Sequence, residues 1–143
     1  MSSQHFNTKS INSWKTKSIV GFMTPLDKQL DTLWSELVKL RAGGKCEYCR
    51  RPDTLNSHHI FSRSKRSTRW DERNGACLCA GHHTLSSTLS AHKTPIEFIE
   101  FLREKRGEEW YKILRLRAMT LAAGLDKKLI KVYLKQEIKK YGN

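Results

Sequence analysis

The chain's four cysteines and six histidines are its metal-binding repertoire, and all but His5 fall between residues 46 and 92. Cys46-Glu47-Tyr48-Cys49 sets two thiolates at the spacing of a zinc knuckle. Cys79-Ala80-Gly81-His82 repeats that spacing, the two pairs being separated by 29 residues. Zinc takes four soft or borderline ligands in a tetrahedron, and two such pairs complete one. The competing set puts Cys77 in place of His82. Cys77 and Cys79 stand only two apart, however, so the tight turn of a knuckle is lost, and Cys77 reads as a small buried residue in Ala76-Cys77-Leu78. The N-terminal stretch lacks the pattern of a secretory signal, which favours metal ligation over a disulfide framework. In a core this small, bound metal adds folding free energy directly.

A second group of residues could do proton and phosphate chemistry. Ser57-His58-His59-Ile60 is followed by Asn74, fifteen residues after His59, and by His83 nine residues beyond that. An imidazole titrates near neutrality, so it can accept a proton from water at physiological pH or ligate a cation when neutral. Adjacent His82 and His83 on a helix diverge by about 100°, so they can serve two different metals. His5 and His92 read as ordinary surface residues.

Local signals divide the chain into four stretches. Residues 1–23 are polar without a sustained period and read as a basic, flexible arm. Residues 24–44 form a helix: Thr24 is its N-cap, Pro25 takes the first helical position and Asp27 closes a capping box. Leu26, Leu30, Leu33, Leu37 and Leu40 make its apolar stripe, and Gly43-Gly44 ends it. Residues 45–92 hold short apolar pieces, with strands expected at Leu55 to Phe61 and Asp71 to Cys79 and a short helix from His82 to Ala91. Residues 93–143 read as a basic helical extension. Thr94-Pro95-Ile96-Glu97 opens a helix to about Arg106, Gly107 separates it from a second running Glu108 to Ala123, and Asp126 caps a last one to about Lys140. The expected fold is α+β, a small zinc-stapled ββα core with an N-terminal helix and about three C-terminal helices.

Charge narrows the partner. Twenty-seven Lys and Arg against fourteen Asp and Glu give a formal +13, spread along the chain rather than gathered in a tail. Such an excess attracts polyanions, nucleic-acid backbones foremost. No apolar run approaches the roughly 18 residues of a membrane span, so a soluble, cytoplasmic protein (host cytoplasm if phage-encoded) without membrane partners is expected.

The segment C-E-Y-C … S-H-H-I-F-S-R-S … R-N-G-A-C-L-C-A-G-H-H resembles the HNH, or ββα-metal, endonucleases, and within them a zinc-containing branch. T-R-W-D-E-R-N, together with H-H-I-F-S-R-S, is similar to the phage Rap/NinG-type recombination endonucleases over roughly residues 45–110. The family's closing pair of cysteines is here Cys79 and His82. The resemblance implies a general base at His59, a catalytic-metal ligand before it at His58, a bracing asparagine at Asn74 and a further metal ligand at His83. It implies hydrolysis of DNA with Mg²⁺ or Mn²⁺, Ni²⁺ being tolerated, and a 5′ phosphate product. Ser87 stands where some relatives carry another histidine, so water or a phosphate oxygen would complete the shell. Arg63, Lys65, Arg66, Arg69 and Arg73, between the base and Asn74, are expected to meet phosphates, as are lysines of the last helix such as Lys127, Lys128 and Lys131. Double-stranded or branched DNA is the expected substrate; the alternative is a non-catalytic zinc module that binds nucleic acid.

Overall fold

A short antiparallel hairpin sits between two helical layers. The computed structural model describes residues 22–142, so the expected arm at 1–23 lies outside the described residues except for Phe22 and Met23, and His5 lies outside them too. Helix α1 spans Pro25–Arg41, strand β1 Leu55–His59, strand β2 Gly75–Cys79, and helices α2, α3 and α4 span Pro95–Arg106, Glu108–Met119 and Lys127–Tyr141. A 3₁₀ turn, Glu72–Asn74, leads into β2, and a five-residue π-helical turn, Gly81–Leu85, follows it. The fold is α+β. None of these helices is long and apolar enough to cross a membrane.

The capping box expected at α1 forms: Asp27 N donates to Thr24 Oγ1 at 3.2 Å and Thr24 N to Asp27 Oδ2 at 3.0 Å. The other carboxylate oxygen of Asp27 takes the Lys127 ammonium at 2.7 Å, tying the start of α1 to the start of α4. The buried stripe of α1 is rotated from the leucine ladder, because Trp34 and Val38 join Leu30 and Leu37 in the core. Each such side chain contributes roughly 1.5–3 kcal/mol by leaving water, which outweighs the weak propensity of an isolated helix.

The hairpin register pairs His59 with Gly75, Ser57 with Cys77 and Leu55 with Cys79. Alternation then separates the two faces. Gly75, Cys77 and His59 turn toward α1, whose cluster includes Trp34, Val38, Trp70 and Leu134 of α4. Ala76, Leu78 and His58 turn toward α2, against Phe98 and Leu102. A Cβ on Gly75 would lie 2.2 Å from a Val38 methyl carbon and 3.0 Å from the Trp34 ring, so only glycine lets β2 lie this close to α1.

Several boundaries differ from the sequence reading, each for a local reason. The helix expected from His82 to Ala91 is only the Gly81–Leu85 turn. The Ser86 hydroxyl accepts from the amides of Thr88 and Leu89, an alternative to helical bonding that stops the helix. Thr94 makes no capping box, since its hydroxyl is turned back to Ser90, accepting from the amide at 2.8 Å and donating to the carbonyl at 3.1 Å. The strands are shorter than expected because Asn74 and the 3₁₀ turn take over the polar groups beyond them. Helix α3 stops at Met119, not Ala123, where Leu121 is 90% exposed and has no layer to pack on. Asp126 caps α4 as expected, accepting from the amides of Lys128 and Leu129.

Candidate functional site

Among the described residues, two groups of side chains could hold a metal ion. The first is Cys46, Cys49, Cys79 and His82. Their ligand atoms lie within 4.8 Å of one another, with Cys49 Sγ 3.7 Å from Cys79 Sγ, Cys46 Sγ 3.8 Å from His82 Nδ1 and Cys79 Sγ 3.2 Å from His82 Nδ1. A tetrahedron built on Zn–S bonds of about 2.3 Å has sulfur–sulfur edges of about 3.7 Å, so the donors suit zinc or a similar ion. The knuckle turns between α1 and β1, Cys79 ends β2, and His82 stands on the π turn. The site therefore joins three segments that make no regular ladder with one another. Cys77 takes no part: it packs toward α1, where burial, and then the charges of Glu47 and Cys46, push its thiol up to about 11.

The second group is His58, His83 and His92, whose nitrogens also lie within 4.8 Å of one another. The sequence points to the first two; His92, which reads there as a surface residue, belongs with them. The chain turns at Leu85 and doubles back, so that His92 N donates to His83 O at 3.2 Å and Ala91 N to His82 O at 2.9 Å. This return sets His92 Nε2 3.3 Å from His83 Nε2. The His58 ring stands edge-on to both, with centroids at 5.4 Å from His83 and 5.0 Å from His92. Burial against Phe98, then the neighbouring rings of His83, His92 and His59, push His58 down to about 3. Burial also lowers His83. Both shifts favour the neutral ring, the form that ligates a metal. Three imidazoles on one side of an ion leave its other positions open to water or a phosphate oxygen.

His59, next along the strand, faces the other way. Its ring stacks on Trp34 of α1 at 3.7 Å and 10°. Its Nε2 lies 2.9 Å from the carbonyl oxygen of Arg69. A carbonyl only accepts, so in the neutral ring Nε2 carries the hydrogen and Nδ1 the lone pair, the tautomer that could serve as a base through Nδ1. Burial lowers its pKa, and Arg63 and Arg69 add to this. The Arg69 carbonyl and the charge of Asp31 oppose the shift without cancelling it. The shift favours the uncharged ring.

Asn74, fully buried, closes the chain between the strands. Its Oδ1 accepts from Phe61 N at 2.7 Å, its Nδ2 donates to Phe61 O at 2.9 Å and to Thr68 O at 3.0 Å, and its own carbonyl accepts from Ile60 N at 2.9 Å. The loop it braces carries the arginines. Arg63 and Arg69 reach Asp31 of α1 at 2.8 and 2.7 Å, whereas Lys65, Arg66 and Arg73 are exposed. Besides His92, sequence reasoning misses Asp31 and Trp34, which are hidden within the general amphipathic pattern of α1. Ser87, its candidate for a further ligand position, is exposed to solvent.

Comparison with known proteins finds no matching family model, no matching curated protein and no matching solved structure. What the site can do follows from its own residues.

Proposed function

We propose that the protein is a metal-dependent DNA endonuclease, acting as the HNH nucleases that its motif resembles. The observation that carries this reading is the arrangement at the end of β1, with His58, His83 and His92 gathered on one face and the His59 ring fixed by the Arg69 carbonyl and Trp34 on the other. The scissile phosphate would cross the free edge of β1, between the two. His59 Nδ1 accepts a proton from the attacking water, which enters in line with the leaving 3′ oxygen, so the P–O3′ bond breaks and the 5′ phosphate stays on the product. A divalent ion held by His58, His83 and His92 would neutralise charge on the phosphoryl group and the leaving oxygen. Three nitrogen donors favour Mn²⁺, Ni²⁺ or Zn²⁺ over Mg²⁺, which prefers oxygen. Zinc at Cys46, Cys49, Cys79 and His82 would serve the fold.

The test uses the full chain with supercoiled, linear and branched DNA, in the absence and presence of Mg²⁺, Mn²⁺ or Ni²⁺. Cleavage should need the divalent ion and leave 5′ phosphates. His59→Gln keeps a donor toward the Arg69 carbonyl but lacks a base, and should slow cleavage by about 10²–10⁴ with zinc content unchanged. Replacement by alanine is less informative, because it also removes the ring stacked on Trp34. Cleavage that is unaffected in His59→Gln would place the base elsewhere. DNA binding with no cleavage under any ion would leave a zinc module that only binds nucleic acid.

A further inference from the structure

Helix α1 lies outside the stretch that carries the nuclease motif, yet one of its side chains holds the two side chains that flank the peptide orienting His59. The carboxylate of Asp31 accepts four bonds: from Arg69 Nε at 3.0 Å and Nη2 at 2.7 Å, from Trp70 Nε1 at 2.8 Å and from Arg63 Nη2 at 2.8 Å. The side chains of Arg69 and Trp70 flank a single peptide unit, and the carbonyl of that unit is the one that His59 Nε2–H meets at 2.9 Å. Asp31 thus grips both sides of the group that fixes the imidazole. We infer that Asp31 is a positioning residue for His59, acting through the Arg69–Trp70 peptide, in the nuclease reading given above.

Three further observations support this role. Arg69 stacks over the Trp70 ring at 5.1 Å, so the two side chains form one unit on the carboxylate. The Arg69 side chain is only 15% exposed, against 56% for Arg63, which sets Arg69 apart from a solvated surface pair. Burial raises the Asp31 carboxyl, but the hydrogen bonds of Arg69 and Trp70 and the charges of both arginines outweigh it and hold it below the usual carboxylate range. The same face of α1 adds Trp34, one turn on, which stacks on His59 and donates from Nε1 to Asp71 O at 2.9 Å. The helix therefore holds the ring from one side and its hydrogen-bond acceptor from the other. Pre-set orientation of this kind matters because small misplacements of a catalytic group cost rate disproportionately.

The test follows the His59 Nε2–H proton by ¹⁵N-edited NMR in the full chain. The Trp34 indole N–H serves as a reference for loop docking, and elemental zinc as a reference for the fold. In the wild type the His59 proton should be protected from exchange. In Asp31→Asn it should be lost to exchange or shift, while the Trp34 signal and zinc content remain. On DNA, kcat should fall about ten- to a hundredfold, with KM unchanged or lower because two arginines are freed, and Asp31→Glu should recover part of the loss. A His59 proton unchanged in Asp31→Asn, or a change in KM alone, overturns the inference and leaves Asp31 as an ion-pair hub. Should Asp31→Asn fail to fold, Arg69→Met decides by the same signal, since it cuts two of the three bonds from Asp31 to the Arg69–Trp70 unit and keeps the peptide. If the wild type cleaves no DNA, the NMR result still decides the positioning role, and only the nuclease reading falls.

Discussion

His92 Nε2 lies 3.3 Å from His83 Nε2, closer than two protonated rings would settle and suited to two ligands of one cation. His92→Ala should weaken binding of Mn²⁺ or Ni²⁺ at least about tenfold, since two imidazoles hold an ion less firmly than three. Calorimetric titration of the zinc-loaded protein would show this, with zinc itself retained because Cys46, Cys49, Cys79 and His82 are untouched. Unchanged divalent affinity would return His92 to the role of a surface residue. Its part in the cluster is hidden in the sequence by a plausible helix. Continuing the helical period from His83 points to Ser87, one turn on. His92 instead arrives by a reversal that depends on hydroxyl bonds around Ser86 and Ser90. His58 and His83 are legible because β1 and the turn that follows its partner β2 set them near each other whatever the helix length. The orientation of His59 is not legible, since it rests on a carbonyl ten residues away and on a tryptophan of α1.

At the scale of elements, the two thiolates of the knuckle and the end of β2 are joined by the metal-capable tetrahedron more than by backbone pairing. Cys46 and Cys79 are also part of the apolar cluster that seats α2 through Phe98 and Leu102. Cys79→Ser should release zinc and loosen the hairpin against α2, because the ligation energy is folding energy. It should also free the π turn that carries His83, so divalent binding at the three histidines should fall with it. Elemental analysis, a thermal melt and a Mn²⁺ titration of the same variant check the three consequences. A zinc-free variant that melts at the wild-type temperature would show that the tetrahedron is idle. The elements themselves are legible where the ends carry self-contained signals: Thr24, Pro25 and Asp27 open α1, and Asp126 opens α4. They are misread where a side chain has two partners to choose from. Thr94 looks like a cap but bonds Ser90, and Asn74 replaces ladder bonds that the strand pattern alone would extend.

Across the whole molecule the sequence carries a formal +13, and among the described residues, where a hairpin is held between α1–α4 and α2, the positive groups divide into engaged and free. Arg63 and Arg69 are committed to Asp31, Lys127 to Asp27, and Lys131 donates to Gln29 at 2.6 Å. Lys65, Arg66 and Arg73 of the loop, and Lys128, Lys135 and Lys139 of α4, are exposed. A phosphate backbone draws on the free groups first, because engaged ones must give up a partner to reach it. Double replacement Lys65→Glu with Arg66→Glu should therefore weaken binding to DNA of any sequence. It should also reduce the slope of log K against log salt by about 0.9 for each phosphate no longer neutralised, or about 2 for the pair. Lys128→Glu with Lys135→Glu asks whether α4 shares the footprint: an equal flattening places both on the DNA, and an unchanged slope confines the footprint to the loop. Arg69→Glu should behave differently from either pair. It removes the bridge to Asp31 and sets two carboxylates together, so the loop and cleavage should suffer before the salt slope does. Titrations at several salt concentrations, on two unrelated duplexes, separate these cases. Weaker binding to one duplex alone, at constant slope, would mean that the loop reads bases instead of holding the backbone.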